Sequence, residues 1–157
     1  MIEFDVEVKA VSEKFAIDYP NDSYPEIMCK ENRPYAFFLI DLHIGYFICI
    51  PFRTNILHKN AFIFRNSMRS KRSHSGLDYT KVLLIKDSRY ISDANIVVDN
   101  DEYNEMMINA VRIVKEICNY IDDYKKHIGR EKILHPKEFE RRYKYSTLRY
   151  FHDVLGI

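Results

Sequence analysis

The chain reads as an α+β domain in which helices pack on a twisted antiparallel sheet. Three observations predict this. Residues 35–52 form two aromatic and β-branched runs around a short glycine-containing turn. Residues 106–121 repeat apolar side chains at helical spacing. Strand-like segments come first and helix-like segments last, without the regular alternation of a parallel sheet. A length of 157 residues suits one domain, spanning 1–157, at roughly 100–200 residues per domain.

Each element has its own signal. Phe4-Asp5-Val6-Glu7-Val8 alternates as a strand does, and Val11 to Ile17 suits one or two helical turns. Residues 19–25, with two prolines, form a loop. Tyr35 to Leu42 and Tyr46 to Phe52 make a hairpin whose nearly continuous apolar sequence predicts burial on both faces. Pro51 cannot donate to a ladder and marks a strand end or an edge. Ala61 to Phe64 is a third strand, Arg65 to Gly76 a long polar, basic, Ser-rich loop, and Asp78 to Lys86 a fourth strand. Residues 89–91 and 95–98 suit short further pieces. One long helix is predicted near 101–128, with its stripe at Met106, Met107, Ala110, Val111, Val114, Ile117, Cys118 and Ile121. Asn100 or Asp101 caps its start, and Lys125, Lys126 and His127 precede a stop at Gly129. Pro136 fits the first turn of another helix. Phe139, Tyr143, Leu148, Phe151 and Leu155 supply apolar contacts to the end.

Composition narrows the function classes. The chain is 46% hydrophobic and 30% charged, with four Gly and five Pro, which excludes a disordered or collagen-like chain. No apolar run approaches the ~20 residues of a membrane helix, and the acidic start is unlike a signal peptide. Three cysteines without a Cys-x-x-Cys spacing suggest reduced thiols and a cytoplasmic protein.

The net charge is only +1, but the charges are segregated. From Leu42 to Leu77 there is no Asp or Glu, while Arg53, Lys59, Arg65, Arg69, Lys71 and Arg72 fall there. From Lys125 to Arg149 nine Lys/Arg face three Glu. Residues 1–31 carry eight acids against three Lys, and residues 87–105 carry six acids against one Arg. Two basic segments set apart from acidic ones suit a polyanionic partner.

Zinc, phosphate-loop and dinucleotide-loop motifs and the Gly-x-Ser-x-Gly elbow are missing, so the residues imply neither metal nor cofactor. What remains is cationic, hydroxyl-rich and histidine-containing: Arg53, Thr54 and His58 after the second strand, then Ser67, Ser70, Ser73, His74 and Ser75 in the basic loop. This set suits phosphodiester cleavage in which the RNA 2′-OH is the nucleophile. Histidine titrates near neutrality and transfers protons, and Arg holds phosphate. His43 in the hairpin turn is read as exposed and idle. A few tyrosines beside the basic segments suit base stacking.

The block Arg33-Pro34-Tyr35-Ala36-Phe37-Phe38-Leu39, then Ile50-Pro51-Phe52-Arg53-Thr54-Asn55, then Ser75-Gly76-Leu77-Asp78-Tyr79-Thr80-Lys81-Val82-Leu83-Leu84-Ile85 resembles the toxins of type III toxin–antitoxin systems. It is most similar to the CptIN family and more distantly to ToxN and AbiQ. The resemblance runs along essentially the whole chain. It implies a MazF/Kid-like fold, a twisted antiparallel SH3-like barrel sheet with surrounding helices. It also implies a metal-independent endoribonuclease that leaves 2′,3′-cyclic phosphate and 5′-hydroxyl ends. The implied partner is a repetitive small RNA antitoxin folded as a pseudoknot, processed by the toxin and inhibiting it in a closed RNA–protein hetero-oligomer; the substrate is cellular or phage mRNA. In ToxN-like relatives a Thr-Ser pair follows the proline, where this chain has Arg53-Thr54. The family's nearby lysine has no clear counterpart, His58 is the local substitute, and Arg33 lies near the position of an earlier lysine. Catalysis is thus expected at Arg53, Thr54 and His58. RNA contact is expected at Arg33, Arg65, Ser67, Arg69, Lys71, Arg72, His74 and Ser75, and along the C-terminal helices at Lys137, Arg141, Arg142 and Lys144. On the residues alone two alternatives stay open: a non-enzymatic RNA-binding module or translation repressor, and a protein-directed toxin with a related barrel.

Overall fold

The computed structural model describes residues 3–29 and 35–157. Six strands form one antiparallel sheet: β1 (Asp5–Ala10), β2 (Ala36–Asp41), β3 (Phe47–Arg53), β4 (Ala61–Ile63), β5 (Gly76–Asp78) and β6 (Leu83–Ile85). The path runs β1-β2-β3-β5-β4, and β6 also pairs with β3. β1 and β4 end the path without pairing to each other, so the sheet is open rather than a closed barrel.

The β2–β3 hairpin is the centre of the sheet, in the register Phe37↔Pro51 to Asp41↔Phe47. Phe37 to Ile40 and Ile48 to Pro51 are all buried, as their unbroken apolar sequence predicts. β3 takes two partners in succession. β6 lies beside Phe47 to Cys49, and β5 beside Phe52 and Arg53. Pro51, with no N–H to donate, falls in the gap between them.

Across that gap the fourth strand of the sequence reading is broken. Residues Tyr79–Lys81 form a 3-10 turn between β5 and β6. Asp78 causes the break, because its Oδ1 accepts the Thr80 N–H at 2.9 Å and the Thr80 hydroxyl at 2.6 Å. A side chain that satisfies local backbone donors competes with the ladder.

The basic loop also holds unexpected structure, a helix α2 at Met68–Ser73 that follows α1 (Glu13–Asp18) in chain order. Ser67 caps it by accepting the Ser70 N–H at 2.9 Å, and His74 closes it in the left-handed region at φ 48°.

The long helix is two helices, α3 (Asn100–Ile108) and α4 (Ala110–Ile128). Asn109 breaks it. Its side-chain amide and its backbone N–H both donate to the Glu105 carbonyl, at 2.8 and 3.1 Å. The buried stripe keeps its helical spacing across Asn109: Met106, Ala110, Ile113, Val114, Ile117 and Ile121 are buried, whereas Met107 and Val111 are 40% and 56% exposed. Asp99, rather than Asn100 or Asp101, caps α3, accepting the Glu102 N–H at 3.1 Å. Residues 95–98 form no regular element, and residues Ser88–Tyr90 form a 3-10 turn.

α5 (Pro136–Tyr143) begins with its proline in the first turn, as expected. A 3-10 turn (Thr147–Tyr150) and α6 (His152–Leu155) follow. The Thr147 hydroxyl donates to the Val82 carbonyl, docking this end of the chain on the sheet. No helix is long and apolar enough to cross a membrane among the described residues.

Candidate active site

The end of β3 and the end of β5 bring two charges together. Arg53 is the last residue of β3 and pairs in register with Gly76, two residues before Asp78. Its Nη1 donates to Asp78 Oδ2 at 2.5 Å. Asp78 is 0% exposed, while Arg53 keeps part of its guanidinium in solvent. Burial alone would raise the Asp78 carboxyl's pKa. The contacts from His58, Thr80 and Arg53 outweigh burial and hold it below the usual range.

His58 is locked rather than open. Its Nε2 lies 3.1 Å from Asp78 Oδ1, within ion-pair range but without hydrogen-bond alignment, and is itself buried. Its Nδ1 accepts the Asn60 N–H at 3.1 Å. Both ring nitrogens therefore face protein groups, while the side chain keeps 35% of its surface in solvent. Thr54 and Asn55 are exposed beyond the strand end, with Asn55 at φ 56°. The segment after Arg53 runs against residues 73–76: the Asn55 N–H donates to the Ser73 carbonyl, and the Ile56 N–H to the His74 carbonyl at 3.2 Å. This brings the exposed His74 to the same end of the sheet as Arg53 and Thr54.

Two groups that sequence reasoning missed complete the cluster. The Lys81 ammonium donates to the Tyr145 carbonyl at 2.8 Å. Its pKa is lowered by burial, against the pull of the Asp78 and Glu26 carboxylates. The Tyr35 hydroxyl is buried near the Met28 backbone, without a well-aligned hydrogen bond among the described residues. Burial pushes its pKa well above the usual tyrosine range, and the charges of Asp78 and Arg53 both reach it. One signal for Asp78 was present in the sequence: it is the first acid after the long acid-free window that holds Arg53.

The basic segment divides into anchors and free cations. Glu102 is buried and gathers the Ser67 hydroxyl at 2.8 Å, the Ser75 hydroxyl at 3.2 Å and the Arg69 guanidinium. Glu105 accepts the backbone N–H groups of Arg65 and Asn66 at 2.9 and 3.0 Å. Ser67 and Ser75 are therefore internal supports, not surface contacts for a ligand. Arg69 is held by a carboxylate. The side chains of Arg65, Lys71 and Arg72 are exposed and have no ion pair among the described residues.

The C-terminal set divides the same way. Arg142 pairs with Asp123 at 3.1 Å and lies over the Tyr120 and Tyr143 rings, so it too is structural. Arg141 pairs with Glu138 and Lys144 with Glu140, both on the surface. Lys137 is exposed without an ion pair among the described residues. Arg33 lies outside the described residues. His43 is exposed, as expected; its ring lies between Asp5 at 3.0 Å and Asp41 at 3.5 Å, at the other end of β2.

Comparison with protein-family models, with curated proteins and with solved structures finds no match. What the site can do therefore follows from its own chemistry. It offers a partly exposed guanidinium backed by a buried carboxylate, an exposed hydroxyl, an exposed imidazole and three cations without an ion pair among the described residues. This set can bind a phosphodiester, orient it and transfer protons.

Proposed function

We propose that this protein is an endoribonuclease that cleaves by attack of the RNA 2′-OH and needs no metal. Within that class the resemblance of residues 33–55 and 75–85 points to a toxin of a type III toxin–antitoxin system, of the CptIN kind, acting in the cytoplasm. On this reading the sheet is an opened form of the SH3-like barrel. The antitoxin is a repetitive pseudoknot RNA that the enzyme processes and that then covers its phosphate site in a closed assembly.

The observation that carries the reading is the Arg53–Asp78 pair, with exposed Thr54 and His74 at the same sheet end and a basic segment beside them. The 2′-oxygen loses its proton and bonds to phosphorus, the P–O5′ bond breaks, and the departing 5′-oxygen takes up a proton. Arg53 holds the phosphate and the charge that builds on it, and the Asp78 carboxylate fixes its direction. Thr54 orients the same phosphate. His74, whose ring is exposed, transfers protons. His58 braces Asp78 and enters proton transfer only once Nδ1 is released from the Asn60 N–H.

The test is cleavage of RNA by purified, RNA-free protein in excess EDTA, with end-group analysis. Fragments ending in 2′,3′-cyclic phosphate and 5′-hydroxyl are expected. Replacing His74 with Ala should slow cleavage by about 10²–10⁴-fold. Fragments with 5′-phosphate ends overturn the mechanism. RNA that is bound yet intact favours the non-catalytic RNA-binding module.

A further inference from the structure

Tyr145 follows α5 and is 62% exposed, although it is a large aromatic side chain. It lines a surface groove with Lys137, Glu140, Arg141 and Lys144, three cations and one carboxylate. The Lys144 ammonium lies 5.4 Å over the ring and 3.6 Å from Glu140, while Lys137 on the same groove has no ion pair among the described residues. The backbone of Tyr145 is not loose. Its carbonyl accepts Lys81 Nζ at 2.8 Å, and nearby the Thr147 hydroxyl holds the Val82 carbonyl. Lys81 in turn lies within the electrostatic reach of Asp78 and Arg53. The backbone that presents the ring is thus tied through Lys81 to the Tyr79–Lys81 turn, which Asp78 caps.

An exposed aromatic plane with flanking cations matches a nucleotide of a single strand: the base stacks and the phosphates meet the lysines. The net positive charge of residues 125–149 favours a polyanion over an apolar protein partner. We propose that Tyr145 is a base-stacking subsite for single-stranded RNA whose phosphate is held at Arg53. This rests on the endoribonuclease reading and adds a recognition position to it.

The test uses the full chain and a single-stranded 2′-O-methyl RNA oligonucleotide carrying 2-aminopurine, which lacks the attacking hydroxyl and stays intact. Tyr145→Ala leaves the backbone carbonyl for Lys81, and Tyr145→Phe keeps the ring. Tyr145→Ala is expected to weaken binding by roughly 5- to 150-fold, the effect of one lost base stack. Tyr145→Phe is expected to stay within about twofold of the parent and to retain the quenching of 2-aminopurine that stacking produces. The slope of affinity against salt should be unchanged in both, because stacking displaces no counterions. Parent-like affinity and quenching in Tyr145→Ala overturn the subsite and leave the endoribonuclease reading standing. Equal weakening toward duplex RNA of the same length also overturns the subsite, since a duplex offers no free base. An unaltered chain that neither binds nor cleaves RNA overturns both.

Discussion

Asp78 has no solvent to share its charge with, so its neighbours determine what it does. Asp78→Asn keeps the shape but removes the charge, leaving the Arg53 cation facing a neutral amide. A loss of about 1–3 kcal/mol is expected at neutral pH, measured by urea unfolding. The sign with pH follows from the lowered pKa. The charged carboxylate contributes stability above its unfolded value of about 3.9, and that contribution disappears as pH falls through the lower folded value. Urea midpoints of the parent and Asp78→Asn should therefore converge between pH 5 and strong acid; a gap that stays constant would contradict the assignment. Arg53 faces the same carboxylate and, on the proposed mechanism, the substrate. Arg53→Lys keeps a positive charge but loses the planar fork. Cleavage should fall by about 10²–10³-fold, the usual effect of removing one positioned donor, as seen in single-turnover assays.

At the scale of elements, two contacts decide where the site's parts sit. β4 passes so close to Gly76 that a Cβ there would lie 2.2 Å from the Phe62 carbonyl oxygen and 3.0 Å from Ile63 Cα. Both are backbone atoms, which cannot rotate away. Gly76→Ala should cost about 1–3 kcal/mol or more, as overpacking does, and hydrogen exchange should show β4 and β5 opening first. The second contact is the buried Glu102, which joins α3 to both ends of α2 through Ser67, Ser75 and Arg69. Glu102→Ala strands two buried hydroxyls and should cost about 1–3 kcal/mol. Its distinctive sign is local: amides in Met68–Ser73 should exchange faster relative to those of β2 and β3. Uniform acceleration across the chain would show that Glu102 supports the whole fold rather than α2.

For the molecule as a whole, the segregation of charge is the property that an RNA meets first. Arg65, Lys71 and Arg72 are exposed and unpaired among the described residues, and each can neutralise one phosphate. Replacing all three with Ser should lower the slope of log affinity against log salt by about 2 for a single strand, at ~0.7 per phosphate contact. Arg69→Ala should instead lower stability, because its guanidinium serves Glu102. An unchanged salt slope in the triple variant, with binding intact, would place the RNA on another face.

Much of this was legible in the sequence, and the reason is local. The hairpin of β2 and β3, the buried face of α4, the proline that starts α5 and the basic segments all follow from periodicity, turn residues and charge counts within short windows. The broken fourth strand, the helix inside the basic loop and the division of the long helix at Asn109 did not follow. Each depends on a side chain that satisfies backbone or hydroxyl groups more favourably than the regular element does. The site divides along the same line. Residue types alone mark Arg53, Thr54, His58 and His74 as a chemical set. Only the tertiary structure decides that His58 is locked, that Ser67 and Ser75 are internal, and that Lys81 and Tyr35 belong beside Asp78. The partners that settle these points lie 25 residues apart for Arg53 and Asp78, and 35 apart for Ser67 and Glu102. No local pattern encodes such a pairing, because it forms only when the packed sheet and helices bring distant charges out of water together.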